Sequence, residues 1–256
     1  MKKHLFASLL LLILCVPALS GNTDTLSVMS YNLRFGELAS MKEFSDAILS
    51  EAPDVVMLQE CDWATWRERA PRQNGVKFIN ELAYNTGMFG LYGKSINYKG
   101  GYYGLGILSR YPIVSSRRIL LPCDGKTEQR SLLIADIELP SGRTVTVACT
   151  HLEVSSEELR LNQVRFINRI ARRNPHPVIL AGDMNAQPDA PSMEMLRRKW
   201  KECSDRELTF STNKPSIKID YVYARPASSF EVLSSEVLRK HKLSDHFPIK
   251  CILTIN

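Results

Sequence analysis

Asp183 and Asn185 stand two residues apart in Ala181-Gly182-Asp183-Met184-Asn185-Ala186-Gln187-Pro188, directly after the run His176-Pro177-Val178-Ile179-Leu180. An apolar run of that length, bounded by Pro and Gly, reads as a buried strand. Residues two apart on an extended chain share a face, so Asp183 and Asn185 are expected to project together while Met184 points away. A carboxylate beside a carboxamide offers hard oxygen ligands and a hydrogen-bond donor. That pairing suits Mg²⁺-assisted chemistry on a phosphate, because the ion keeps several waters and takes few protein ligands. A lone D-x-N also fits an Asx turn after a strand. The reading therefore depends on its company.

Other strand-like runs end on groups of the same kind. Asn32 closes Ser30-Tyr31-Asn32, Glu60 closes Val55-Val56-Met57-Leu58-Gln59-Glu60, and His151 closes Val147-Ala148-Cys149-Thr150-His151. Asp220 lies in Ile219-Asp220-Tyr221-Val222-Tyr223, and a loop before the last strand carries Ser244-Asp245-His246-Phe247-Pro248. Each has a bland explanation alone: a Glu after a strand is usually solvated, and a lone His is usually a hydrogen-bonded surface or core residue. Polar residues at five strand ends are harder to dismiss, because active sites gather at element ends and in the loops there.

The elements that must position them alternate between strand and helix. Leu26 to Tyr31 reads as a strand, and Phe44, Ala47 and Ile48 recur at helical spacing before Pro53. Asp54 to Glu60 reads as a strand with Val56, Leu58 and Glu60 on one face. Cys61 to Asn74 reads as a long surface loop, and a helix is expected near Val76 to Tyr84. Further strands are expected over Tyr103 to Ser109, Ile113 to Leu121, and Ser131 to Leu139. The last of these pairs with Arg143 to Thr150 across the turn Pro140-Ser141-Gly142. Ser155-x-x-Glu158 reads as a capping box opening a helix with the stripe Leu161, Val164, Ile167 and Ile170-Ala171, stopped at Asn174-Pro175. Arg165, Arg169 and Arg172 lie on another side of it, for which a solvated face is preferred to nucleic-acid contact. A short helix around Ser192 to Trp200 and strands over Ile217 to Tyr223 and Ile249 to Ile255 complete the chain. The expectation is an α/β fold: a four-layered sandwich of two packed, mostly antiparallel sheets flanked by helices.

At the N-terminus Lys2, Lys3 and His4 precede an apolar run from Leu5 to Val16, then Pro17 and Ala18-Leu19-Ser20. That order describes a secretory signal peptide over residues 1–20, cleaved between Ser20 and Gly21, with one domain over 21–256. The run is too short to span a membrane, which needs about 20 residues. Leu14 is too bulky to precede Cys15 in a lipoprotein anchor, so a secreted or periplasmic protein is expected. The chain has 256 residues and a formal charge of +6, which falls to +4 without Lys2 and Lys3. A mild positive charge is compatible with a phosphate-bearing substrate and does not distinguish nucleic acid, lipid head group and inositol phosphate. Cys61, Cys123, Cys149, Cys203 and Cys251 are widely spaced without C-x-x-C, indicating neither a zinc site nor a disulfide framework. Nothing implies a stable protein partner, and a monomer is expected.

The motifs S-Y-N-L-R, L-Q-E, Y-G-L-G-I-L-S-R, T-H-L-E, G-D-M-N, I-D-Y and S-D-H-F-P, in that order from Ser27 to the C-terminus, resemble the endonuclease/exonuclease/phosphatase superfamily. The resemblance implies a Mg²⁺- or Mn²⁺-dependent phosphoesterase, nuclease-like in the first instance, with a lipid or inositol phosphate esterase as the alternative. It implies that Glu60 is the main metal-binding carboxylate, with Asn32 beside it and Asp245 approaching from the opposite side. His246 is similar to the imidazole that contacts the scissile phosphate, and Asp220 to its orienting partner. Asp183 matches the residue assigned to water activation or leaving-group protonation, Asn185 the one that holds the phosphate, and Tyr103 a tyrosine that touches it. Arg130 is a further phosphate contact or a surface salt bridge.

Within the superfamily, His151 in T-H-L is shared by the deoxyribonuclease, sphingomyelinase and 5-phosphatase branches and weighs against abasic-site repair, as does the signal peptide. No stretch resembles the membrane-inserting hairpin of secreted sphingomyelinases. Trp63 and Trp66 are expected to anchor their loop, with stacking on a base or sugar as the alternative. A non-catalytic binding module on the same fold would lack a Glu, Asp or His at these positions, and none is missing.

Overall fold

The structure, a computed structural model, describes residues 23–256; the expected signal peptide lies outside the described residues. Two six-stranded sheets stack face to face. The first has the order β11-β12-β1-β2-β4-β3, built from β1 (Asp24–Asn32), β2 (Val55–Trp63), β3 (Phe89–Tyr98), β4 (Gly101–Ser109), β11 (Phe230–Val237) and β12 (Ile249–Ile255). The second has the order β5-β6-β7-β8-β10-β9, built from β5 (Ile113–Leu120), β6 (Ser131–Glu138), β7 (Thr144–His151), β8 (Val178–Asp183), β9 (Lys201–Glu202) and β10 (Asp220–Arg225). Pairing is antiparallel except for β1–β2 and β7–β8. Each parallel pair is joined through a helix, α1 (Met41–Glu51) or α3 (Glu157–Arg172), as a parallel crossover requires. With α2 (Phe78–Thr86) and α4 (Pro191–Arg197), these helices form the outer layers.

Three apolar clusters hold the four layers together. Between the sheets lie Val28, Met57, Ile107, Val147, Ile179 and Val222 with their neighbours. Met29, Phe44, Val56, Leu58 and Leu82 pack the first sheet against α1 and α2. Leu180, Val164, Ile167, Leu196 and Tyr223 pack the second against α3 and α4. Alternation along β1, β2 and β8 feeds two clusters at once, because each of these strands is covered on both faces.

Local signals explain the helix ends. Ser40 accepts from the Glu43 amide while Glu43 accepts from the Ser40 amide, a capping box opening α1. The cap of α3 is Ser156, which accepts from the Leu159 amide, rather than the expected Ser155. Ser155 instead donates its hydroxyl to Glu153 at 2.6 Å, which leaves the cap to its neighbour. The expected loop over Cys61 to Asn74 starts late, since β2 runs on to Trp63 and pairs with Tyr102 of β4. Strands β3 and β11 had no counterpart in the sequence reading. β3 interrupts its apolar residues with Gly90, Gly93 and Lys94-Ser95, and β11 buries little of its length, so neither carries a strong apolar alternation.

Candidate active site

The second sheet brings three polar strand ends into register. Asp183 of β8 lies opposite His151 of the parallel β7 and opposite Asp220 of the antiparallel β10. Gly182 permits that approach, since a Cβ there would sit 1.9 Å from the Thr150 carbonyl oxygen. His246 arrives on the loop before β12. Its Nδ1 donates to Asp220 Oδ2 at 3.0 Å, and its Nε2 faces Asp183 Oδ2 at 3.7 Å. The Phe210 ring packs at 4.9 Å on the imidazole and helps to exclude water.

The first sheet adds Asn32 and Glu60. The Asn32 carboxamide donates to Glu60 Oε1 at 3.1 Å and to Asp183 Oδ2 at 3.2 Å, which ties the two sheets together. Simple alternation would place Glu60 beside Val56 and Leu58, under the helices. The structure corrects this. The register against β4 slips between Leu58 and Cys61, and Glu60 takes φ +52, a left-handed conformation rare for a side chain of this kind. This β-bulge turns Glu60 into the cleft.

The shared strand face expected for Asp183 and Asn185 is likewise not what joins them. β8 ends at Asp183, Asn185 has φ +48, and its amide donates to Asp183 Oδ1 at 2.8 Å. The Asx-type turn and the polar site are therefore one feature. The Asn185 side-chain amide is partly committed, donating to the Leu152 carbonyl at 3.0 Å.

Glu60, Tyr103, Arg130, His151, Asp183, Asn185, Asp245 and His246 all line one cavity of about 480 Å³. Asn32 and Asp220 stand directly behind it, each bonded to a lining residue. Arg130 is no exposed surface pair: it is buried, with Nη1 2.9 Å from Glu128 and 3.2 Å from His151 Nδ1. Trp63 is half-buried against Tyr92 with ring centroids 5.1 Å apart, an anchor, whereas Trp66 is 64 % exposed.

Besides Phe210, two charged lining or bracing residues had no assigned role in the sequence reading. Glu128 reaches the cavity wall through its pair with Arg130. Arg34, the last residue of S-Y-N-L-R, pairs with the Asp245 carboxylate, and its amide donates to Asn32 Oδ1 at 2.9 Å. The motif contained Arg34 but gave no sign that its φ of +45 would aim it across to the opposite loop.

Burial and neighbouring charge set the protonation states. Burial acts against a charged His246, but the carboxylates of Asp220 and Asp183 and the hydrogen bond to Asp220 outweigh it and raise its pKa to about 10. Burial lifts Asp183 to about 7, opposed by the His246 charge and assisted by Asp220. Burial and the adjacent Arg130 hold His151 well below the ordinary imidazole value, hence neutral. With Nδ1 accepting from Arg130, its proton sits on Nε2, 3.5 Å from Asp183 Oδ2. Burial raises Glu60 as well, against its hydrogen bond from Asn32.

Asp183, Asp220 and His246 also meet the spacing of a metal cluster. A protonated imidazole already bonded to Asp220 is a poor ligand, however. The better donor set is the oxygen-rich side, where the Glu60 and Asp245 carboxylates on the cavity wall, with Asn32 behind Glu60, would offer the hard ligands a Mg²⁺-type ion prefers.

The profile of the Endonuclease/Exonuclease/phosphatase family matches residues 29–246, a span that includes every residue of this site. The chain belongs to the endonuclease/exonuclease/phosphatase family. The Escherichia coli (strain K12) protein YbhP is 27% identical over 234 residues, covering 86% of this chain and 89% of its own. An inositol phosphosphingolipids phospholipase C of Schizosaccharomyces pombe is 29% identical over 112 residues, 36% of this chain and 26% of its own. Among solved structures, the mannosyl-6-phosphatase Bt3783 of Bacteroides thetaiotaomicron aligns with a TM-score of 0.70 at 17% identity, covering 89% of this chain and 99% of its own. That likeness is one of fold. The family's fold accounts for the sheet order, and its members hydrolyse phosphate esters in general.

Proposed function

We propose that this protein is an exported, Mg²⁺- or Mn²⁺-dependent phosphodiesterase, nuclease-like in its substrate. One observation carries the reading: a buried Asp220–His246 pair and an Asp183 raised toward neutrality line or brace the same cavity as the oxygen donors Glu60 and Asp245. Glu60 and Asp245 are the residues that would hold the ion, with Asn32 bracing Glu60 from behind. Its contribution when bound is to neutralise charge developing on the phosphoryl oxygens.

The remaining chemistry belongs to the chain. Asp220 fixes the His246 ring and keeps it charged, so that Nε2–H donates to a phosphoryl oxygen. Asp183, with a pKa near 7, is suited to take the proton of the attacking water at neutral pH. Asn185 and Arg130 orient the phosphoryl group, and the Tyr103 hydroxyl, which burial keeps protonated, adds a donor from the opposite wall. Glu128 offsets the Arg130 charge, so with the ion in place the cavity suits a singly charged diester better than a doubly charged monoester.

A second reading, a lipid or inositol head-group diester, is favoured by the name of the Schizosaccharomyces pombe relative. Hydrolysis assays with plasmid DNA, RNA, sphingomyelin, inositol phosphates and bis-p-nitrophenyl phosphate, with and without Mn²⁺, distinguish the two. No turnover on any of them, together with no metal binding by calorimetry, would overturn the enzyme reading. The export signal rests on Lys2, Lys3 and the apolar run to Val16. It predicts a secreted or periplasmic protein beginning at Gly21, which N-terminal sequencing checks.

A further inference from the structure

At the far end of the second sheet from the cavity, four cations converge. Arg169 and Arg172 of α3, Lys199 just beyond α4, and Arg225 at the end of β10 line a concavity of about 290 Å³ with Asn168. Arg225 pairs with Val178, five positions along the ladder from the Asp220–Asp183 pair, so about 17 Å separates the two ends at ~3.4 Å per residue. No described residue forms an ion pair with any of the four. Among the other basic residues of these helices, Arg160 pairs with Glu157, Arg197 with Glu202 and Arg198 with Glu194, while Arg165, which does not line the concavity, donates to Asn162.

The charged side chains lining this concavity are all donors, set on their own aliphatic stems. Asn168 would ordinarily offer both kinds, but its Oδ1 already accepts from the buried Trp200 Nε1 at 2.7 Å, which leaves its NH₂ as the free group. Arg169 is held over the Phe166 ring at 5.0 Å, so its guanidinium is partly placed before any ligand arrives. Partial negative charge at the C-termini of α3 and α4 accounts for cations in the last turns, at roughly half a charge per helix. Four full charges exceed that. Four cationic side chains with no carboxylate among the lining residues are an arrangement that an anion would complete.

We propose that this concavity binds a phosphate group, at a site separate from the catalytic cavity. Its size, well above the ~10–15 Å³ of the same measure that holds one water, admits a phosphoryl group with bridging waters. The group could belong to free phosphate or to a lipid head group, and two arms of one experiment tell these apart. In the first, inorganic phosphate is titrated calorimetrically into the wild type, Arg169→Gln/Arg172→Gln and Arg172→Gln/Lys199→Gln. Binding at the catalytic cavity is common to all three and cancels. In the second, the same proteins are sedimented with phosphatidylcholine vesicles with and without phosphatidylglycerol.

The expected result is phosphate binding at least about tenfold weaker in both variants. If the source is lipid, phosphatidylglycerol-dependent sedimentation is also lost. Circular dichroism and turnover on bis-p-nitrophenyl phosphate should be unchanged, since none of these residues touches the catalytic cavity. Variants that match the wild type in both arms overturn the proposal.

Discussion

The two sheets contribute to one cavity by different means. On the second sheet His151, Asp183 and Asp220 are set by ladder register alone, on neighbouring strands with regular pairing. On the first sheet nothing regular suffices. Glu60 needs a bulge, Arg34 and Phe35 both take left-handed backbone after Asn32, and Asp245 is steadied across the cleft by Arg34. The regular half is buried and assigned to proton and phosphate chemistry. The irregular half is more open and assigned to the metal. A ladder fixes side chains that must stay put with respect to one another, whereas bulges and loops re-aim side chains toward a ligand supplied from solution.

That contrast predicts a separation of effects. His246→Ala should leave the fold and metal affinity largely intact and lower turnover at least about a hundredfold, the lower range for general acid–base and electrostatic contributions. Steady-state kinetics beside a calorimetric metal titration reads both. A comparable loss of metal affinity would mean that the two halves are not distinct. Glu60→Gln should do the reverse, weakening metal affinity on the order of tenfold or more while leaving turnover at saturating metal closer to wild type.

The regular half was legible in the sequence and the irregular half only through its motifs. Val147 to His151 and Val178 to Asp183 are apolar runs ending on polar residues, and parallel pairing of such runs aligns their ends. Glu60 was assigned by motif, but the alternation argument would have sent it to the wrong face, since nothing in Leu58-Gln59-Glu60-Cys61 announces a bulge. Asn185 followed a similar course, reaching the cavity through a turn rather than by strand geometry. Arg34 could not be assigned because its partner Asp245, at the other end of the chain, is fixed only by tertiary structure, and Glu128, two residues before Arg130, carries no sequence sign that it enters the cavity wall.

Within the irregular half, Glu60 and Asp245 should differ. Glu60 has one carboxylate oxygen on Asn32 and no hydrogen bond on the other, whereas Asp245 has Oδ2 on Arg34 and Oδ1 accepting from Ser244. Asp245→Asn should therefore weaken metal affinity by only a few-fold, roughly 1 kcal/mol or less, and excess Mn²⁺ should restore hydrolysis. Following hydrolysis against metal concentration in each variant tests this. Equal losses in Glu60→Gln and Asp245→Asn, with no rescue, would make the loop carboxylate a full partner.

The smallest expected effect probes the regular half through pH. His246 is raised to about 10 in the folded protein against an ordinary value of 6.5. A group raised on folding contributes stability that is fully present below its unfolded pKa and lost as pH rises through its folded one. The charged His246 should accordingly stabilise the fold through neutral pH and cease to do so between about pH 6.5 and 10. Other groups titrate in the same range, so the informative quantity is the difference between wild type and Asp220→Asn. Removing that carboxylate lowers the folded pKa of His246 and moves its share of the decline to lower pH, so that the two stability curves part by on the order of 1 kcal/mol. Urea denaturation of both proteins at intervals from pH 6 to 10.5 measures it. Parallel curves would mean that Asp220 orients the imidazole without holding its charge, and protonation of His246 would then have to come from Asp183 or from the substrate itself.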